Sequence, residues 1–193
     1  MSVKGDIEAL FYYFDNRKVI DGFRPAHLIN DYLTTGLHHY YCNDDTLIKG
    51  SITFITPEAY PNSLSIGQAI EMYDGSNKIG YAIVIKILNP ILRGSKGCLL
   101  CAEIHSEYLE DQTEISFQTS DAHYYIQLMP NIKDCEYLDI DIIFADIKTN
   151  RVYFALLNKD LAQNFIEMNK HYMLFENDKK IGQITVLEKY IDL

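Results

Sequence analysis

Tryptophan is absent from this 193-residue chain, and cysteine occurs only four times and proline five. Without tryptophan the aromatic content falls to 15 Tyr and 9 Phe, residues that in strand-rich chains fill cores and cross-strand pairs. Cys42, Cys98, Cys101 and Cys135 are too sparse for a disulfide scaffold and sit beside apolar or aromatic neighbours, so reduced, buried thiols are expected. No apolar run approaches the roughly 18 residues that a membrane-spanning helix needs. The N-terminal Met1-Ser2-Val3-Lys4-Gly5-Asp6 lacks the apolar core of a signal peptide, so a cytoplasmic location is expected. Positive charge is also scarce, with 17 Lys and Arg against 27 Asp and Glu and a net charge of −10.

Several chemistries are missing as well. There is no Gly-rich loop ending in Gly-Lys-Ser/Thr to cradle phosphates, no serine nucleophile elbow, no zinc-binding helix motif and no dinucleotide fingerprint. Cys98-Leu99-Leu100-Cys101 has a redox-like or zinc-like spacing, but no second Cys/His pair accompanies it, and it reads as a strand following a linker. The six histidines are His27, His38, His39, His105, His123 and His171. His38 and His39 are neighbours on a strand and project to opposite faces, so they cannot act jointly. Cys42 lies about 13 Å beyond His38 along such a strand, too far for a nucleophile and its base. No cofactor or metal is expected, and the chain is not expected to be an enzyme.

What is present is mainly β. Ile7 to Phe14 is rich in aromatic and strand-favouring residues, and Gly50 to Thr56 alternates apolar and small polar residues before Pro57 stops it. Ala69 to Tyr73 and Ile79 to Leu88 flank a Gly/Ser/Asn turn, the clearest hairpin signal in the chain. Pro57 to Ser63 reads as a loop. Asn89-Pro90 and Arg93 to Gly97 read as a linker. Beyond it, Leu99 to Glu107, Glu114 to Thr119, Tyr124 to Met129, Leu138 to Ile147 and Arg151 to Leu157 read as strands. A short helix over Asp160 to Met168 is predicted, capped by Asn158. The expected organisation is a β-barrel over residues 1–93 and a second, acidic β-rich domain, barrel or α+β, over 94–193.

Three separated blocks carry a resemblance: Gly22-Phe23-Arg24-Pro25, then Leu33-Thr34-Thr35-Gly36, then Ala69-Ile70-Glu71-Met72-Tyr73-Asp74-Gly75-Ser76-Asn77-Lys78-Ile79-Gly80. In order and approximate spacing, from about Asp6 to Leu88, they resemble the third, C-terminal domain of the elongation factor Tu family. The resemblance implies an antiparallel β-barrel that serves as a docking surface. In that family the barrel helps hold the tRNA T-stem, receives the exchange factor and packs on the GTPase domain. Here no GTP-binding loop accompanies it, so no GTP is expected. Arg24, in the turn, is a candidate for holding a carboxylate or phosphate.

A degenerate repeat is also legible. A shift of 102 residues places Met72-Tyr73-Asp74 on Leu174-Phe175-Glu176, Lys78-Ile79-Gly80 on Lys180-Ile181-Gly182, and Val84 on Val186. Any two amphipathic hairpins can converge on such a pattern, so both tandem barrels and an unrelated second domain stay open.

Charge separates the halves. Residues 1–96 hold 9 Lys/Arg and 10 Asp/Glu; residues 97–193 hold 8 and 17. The acidic half would repel a polyanion and steer in a basic protein. Glu110, Asp111, Asp139 and Asp141 are its candidate partner-binding residues. Asp139 and Asp141 alternate with Leu138, Ile140 and Ile142, so both carboxylates share one strand face, the usual pattern of a solvated face opposite a core. Two functions are open. One is a non-enzymatic docking protein, such as an immunity-type protein that neutralises a basic toxin domain. The other is a translation-associated barrel that binds tRNA or other RNA. The second would use Arg17, Lys18, Arg24, Lys49, Lys78 and Lys86, with Tyr12, Tyr13, Tyr40 and Tyr41 stacking on bases.

Overall fold

The computed structural model describes residues 5–15, 19–44, 47–95, 97–105, 123–128, 137–146, 149–156, 166–177 and 179–191. The chain divides into two compact units, one built on Met1–Lys96 and the other on Gly97–Ile191. Each is a closed antiparallel barrel of six strands. In barrel 1 the strands are β1 (Ile7–Tyr13), β2 (Ala26–Ile29), β3 (Tyr32–Asp44), β4 (Leu47–Phe54), β5 (Ala69–Asp74) and β6 (Asn77–Ile87). Barrel 2 holds β7 (Cys98–His105), β8 (Tyr124–Gln127), β9 (Tyr137–Asp146), β10 (Arg151–Leu156), β11 (His171–Glu176) and β12 (Lys179–Ile191).

Local chemistry sets the turns. Asn30 and Asp31, at φ 44° and 65°, join β2 to β3 in the left-handed conformation that two-residue hairpins require and that Asn and Asp tolerate. Gly75, at φ 62°, does the same between β5 and β6, and Asn177, at φ 44°, between β11 and β12. Pro57–Ala59 and Pro90–Leu92 form short 3-10 turns. The helix predicted over Asp160 to Met168 falls largely outside the described residues; its last three positions, Ile166 to Met168, lead into a turn. The strand expected over Glu114 to Thr119 also lies outside them.

Alternation along the strands builds both cores. Ile7, Ala9 and Phe11 of β1 point inward with Ile52, Ile70, Met72, Ala82 and Val84. Leu100, Ala102 and Ile104 of β7 do so with Ile126, Leu138, Phe154, Leu174 and Val186. Closing each sheet on itself leaves no ladder edge unpaired.

The barrels are equivalent strand for strand. Barrel 1 runs β1-β4-β3-β2-β5-β6 around its circumference; replacing β1–β6 by β7–β12 in chain order reproduces the neighbours of barrel 2. Register follows. Met72 pairs with Gly80 and Tyr73 with Lys78 across a bulge, and Leu174 pairs with Gly182 and Phe175 with Lys180 across another. These pairs are related by the same 102-residue shift. A second bulge sets Lys86 and Val84 against Glu8 and Ala9, and its counterpart sets Glu188 and Val186 against Cys101 and Ala102. At the first bulge a glycine is obligatory, because a Cβ on Gly80 would lie 2.0 Å from the Tyr12 carbonyl oxygen.

Candidate functional site

The most unusual chemistry lies inside barrel 1. His27 of β2 and His38 of β3 both point into the barrel and are fully buried. Their Nε2 atoms are 2.8 Å apart. Only one proton can lie between two ring nitrogens at that distance, so one ring donates and the other accepts. Nδ1 of His38 is 2.9 Å from the Tyr40 hydroxyl, which is 2.8 Å from the Tyr13 hydroxyl. Four polar side chains from β1, β2 and β3 thus form a chain of hydrogen bonds leading from the partly buried Tyr13 to the centre of the barrel.

Aromatic and apolar groups enclose the chain. Phe11 lies 4.5 Å from the His38 ring between centroids, and Phe54 meets His27 edge-on at 5.5 Å. Gly36 makes room for the pair, since a Cβ there would come within 2.8 Å of His27 Cε1 and 2.5 Å of an Ile52 methyl. The glycine of the Thr-Thr-Gly block therefore has a packing role. Loss of hydration pushes His27 down to about 3; the Pro25 carbonyl acts in the opposite direction and is outweighed. Burial pushes His38 down to about 2, with lesser contributions from His27 and His39. Both rings are neutral at physiological pH. Among the described residues Nδ1 of His27 has no well-formed hydrogen bond, and the Pro25 carbonyl is the backbone acceptor that acts on the ring.

The opposite-face expectation for His38 and His39 is met: His38 is inside, while His39 is directed to Asp21 outside, at 3.4 Å. Sequence reading missed the pairing of His27 with His38, which are eleven positions apart and not direct ladder partners. His27 stands opposite Thr34 and Met72, and His38 opposite Ile52. The available signal was the inward parity that both share.

A second candidate is the outer face of barrel 2. Asp139 and Asp141 on β9 are exposed and alternate with the buried Leu138 and Ile140, so both carboxylates face solvent as the alternation required. Asp139 accepts from His123 Nε2 at 2.9 Å. Next to it Tyr125 of β8 stacks on Phe175 of β11 at 5.1 Å and 6°, and the half-exposed Tyr137 of β9 meets Tyr125 edge-on at 5.0 Å. Asp139 and Tyr125 are ladder partners, as are Tyr125 and Phe175. Carboxylates and aromatic rings therefore share one surface across three adjacent strands. Glu110 and Asp111 lie outside the described residues. Arg24 is exposed in the segment leading into β2 of barrel 1.

The remaining candidates sort by strand parity. Cys98 belongs to the core of barrel 2, and Cys101, three residues along the same strand, projects from the opposite face, so the pair cannot clamp a metal or form a disulfide. Burial pushes the Cys101 thiol up to about 11, which leaves it protonated and weakly nucleophilic. Of the residues considered for RNA, Tyr13 and Tyr40 are committed to the histidine chain, and Lys78 is bonded to Glu71 and Tyr81. Arg17 and Lys18 lie outside the described residues. Among the described residues no three His, Cys, Asp or Glu side chains gather closely enough to hold a metal ion, and no helix is long and apolar enough to cross a membrane.

Comparison with models of known protein families, with curated proteins and with solved structures gave no match.

Proposed function

We propose that this chain is a non-enzymatic binding protein that docks a basic protein partner, in the manner of an immunity-type protein neutralising a toxin domain. The observation that carries the reading is the exposed placement of Asp139 and Asp141 beside the Tyr125, Tyr137 and Phe175 rings. Carboxylates at a rim steer a cationic partner in and set its orientation, while aromatic groups supply contact area at low entropic cost. The acidic balance of residues 97–193 acts in the same direction. On this reading barrel 1 is the scaffold that resembles the third domain of elongation factor Tu, with Arg24 at its exposed turn; its closed six-strand form supports that resemblance. The commitment of Tyr13, Tyr40 and Lys78 to internal contacts weighs against an RNA-binding role.

The test is affinity capture with the tagged full chain from lysate of its own host, with and without ribonuclease, at low and high salt. The expected result is a basic protein recovered in stoichiometric amount, resistant to ribonuclease and weakened by salt and by Asp139→Asn with Asp141→Asn. Recovery of tRNA that is lost on ribonuclease treatment would replace this reading with the RNA-binding one.

A further inference from the structure

The buried imidazole pair takes no part in the docking surface of barrel 2, yet its position is mechanically sensitive. β2, which carries His27, is four residues long, while β3 has thirteen. The segment leading into β2 is held to β3 by three backbone hydrogen bonds: Gly22 N to the His38 carbonyl at 2.9 Å, His38 N to the Phe23 carbonyl at 2.9 Å, and Gly36 N to the Pro25 carbonyl at 3.3 Å. Asp21 adds a bond from Tyr40 N at 3.0 Å. The segment Gly22 to Ile29 is therefore a short strap that closes one seam of the barrel. It is paired with β3 on one side and, through residues 26–28, with β5 on the other, and the imidazole pair lies behind the β2–β3 seam.

We propose that this strap is an acid-sensitive clasp, in which proton uptake by the His27–His38 pair opens the seam between Gly22 to Ile29 and β3, with β2 kept on β5 and the other seams of barrel 1 still paired. A proton added to either ring brings a charge into an enclosure of Phe11, Phe23, Ile52, Phe54 and Met72. The Pro25 carbonyl acts on His27 as an acceptor but does not offset the lost hydration. A second proton would set two N–H groups against each other across 2.8 Å. Release of the strap hydrates both rings and removes these penalties together.

The other ionisable groups around the pair do not neutralise such a charge. β1 contributes the Tyr13 hydroxyl and β3 the Tyr40 hydroxyl. β4 and β5 contribute Ile52, Phe54 and Met72, and the β6 side chains in this core, Ile79, Ala82, Val84 and Ile87, are all apolar. Outside the barrel, His39 faces Asp21 at 3.4 Å, on the face of β3 opposite to the imidazole pair. The motion would carry Arg24, which stands within the strap.

The experiment is amide hydrogen exchange by NMR on the full chain between pH 7 and pH 5. Rates are divided by the intrinsic rate at each pH. The opening constants of Gly22, Gly36 and His38 are expected to rise about tenfold per pH unit below 6.5 for one proton taken up, and up to about a hundredfold for two. Amides of β1, β4 and β6 should change less than twofold. Opening constants at the three strap amides that do not vary with pH, or that rise in step with every amide of barrel 1, would overturn the proposal. His27→Gln keeps a donor toward His38 and removes one titrating ring, so it should reduce the slope. If that variant does not fold, the profile of the unaltered chain decides.

Discussion

The two barrels share strand order and the bulges that flank their last strands, yet fill the same interior positions with opposite chemistry. In barrel 1, His27 stands between Thr34 and Met72, and His38 faces Ile52. In barrel 2 the equivalent positions are Ile126, between Leu138 and Leu174, and Ile142, facing Phe154. A hydrogen-bonded imidazole pair in one core is thus a pair of isoleucines in the other. The outer faces differ in the reverse sense. Where barrel 1 has Ala26 between Thr35 and Tyr73, barrel 2 has Tyr125 between Asp139 and Phe175. The lesson is that strand pairing and the inward-outward alternation specify this barrel, while the chemistry at particular interior and exterior positions is free to diverge. Barrel 1 has its unusual chemistry inside, and barrel 2 has it outside.

Acid should separate the barrels most strongly. The folded-state pKa values of His27 and His38 lie near 3 and 2, below their ordinary 6.5. The unfolded chain therefore binds more protons in this window, and the stability these rings allow is complete above pH 6.5 and lost as pH falls toward 3. One ring costs about 1.4 kcal/mol per pH unit, and two at most about twice that. Denaturation followed by NMR at pH 7, 6 and 5 should show barrel 1 weakening before barrel 2. Parallel loss in both barrels would remove the distinction.

Importing half of the pair into barrel 2 should have the next largest effect. Ile126→His buries an imidazole with no polar partner and is expected to cost about 2–3 kcal/mol. Adding Ile142→His supplies the partner and should recover about 1 kcal/mol, read as the coupling term of a double-mutant cycle. Zero coupling would mean that the two positions are not brought together as His27 and His38 are.

The reverse exchange should be milder at neutral pH. His27→Ile with His38→Ile removes both members together and leaves Tyr40 its bond to Tyr13, so stability at pH 7.5 should change by about 1 kcal/mol or less. Its diagnostic result is a flattened acid profile for barrel 1. A variant as acid-sensitive as the unaltered chain would assign that sensitivity to other groups.

The smallest effect on stability is expected at the surface. Asp139→Asn with Asp141→Asn breaks an exposed pair with His123 and should change unfolding free energy by less than about 0.5 kcal/mol. Association with a basic partner at low salt should nevertheless slow by roughly a few-fold, measured as an association rate by stopped flow. An unchanged rate would move the docking surface elsewhere.

Legibility in the sequence followed the range of the interactions. The hairpin announced by the Gly75 turn was readable, because turn chemistry and alternation are local; the Asn30-Asp31 hairpin was not read. The shared solvent face of Asp139 and Asp141 was readable for the same reason, as was the strand that carries Cys98 and Cys101. The shift of 102 residues was visible between the last hairpins of each half, and the common strand order extends the correspondence to both barrels. Some segments read less well. β2 is only four residues long, too short for a periodic signal, and β3 extends far beyond its Thr-Thr-Gly block.

By itself the sequence determined that this is a β-rich chain in two parts, with the acidity in the second part and Asp139 and Asp141 on one strand face. These properties depend on composition and on a period of two. The tertiary structure decided that both parts close into the same six-strand barrel and that Tyr125, Phe175 and Asp139 meet on one surface. It also decided that His27 and His38 share a proton in the middle of barrel 1. Each of these outcomes depends on which strands become neighbours and in what register, a choice made by closing the whole sheet rather than by any short run of residues.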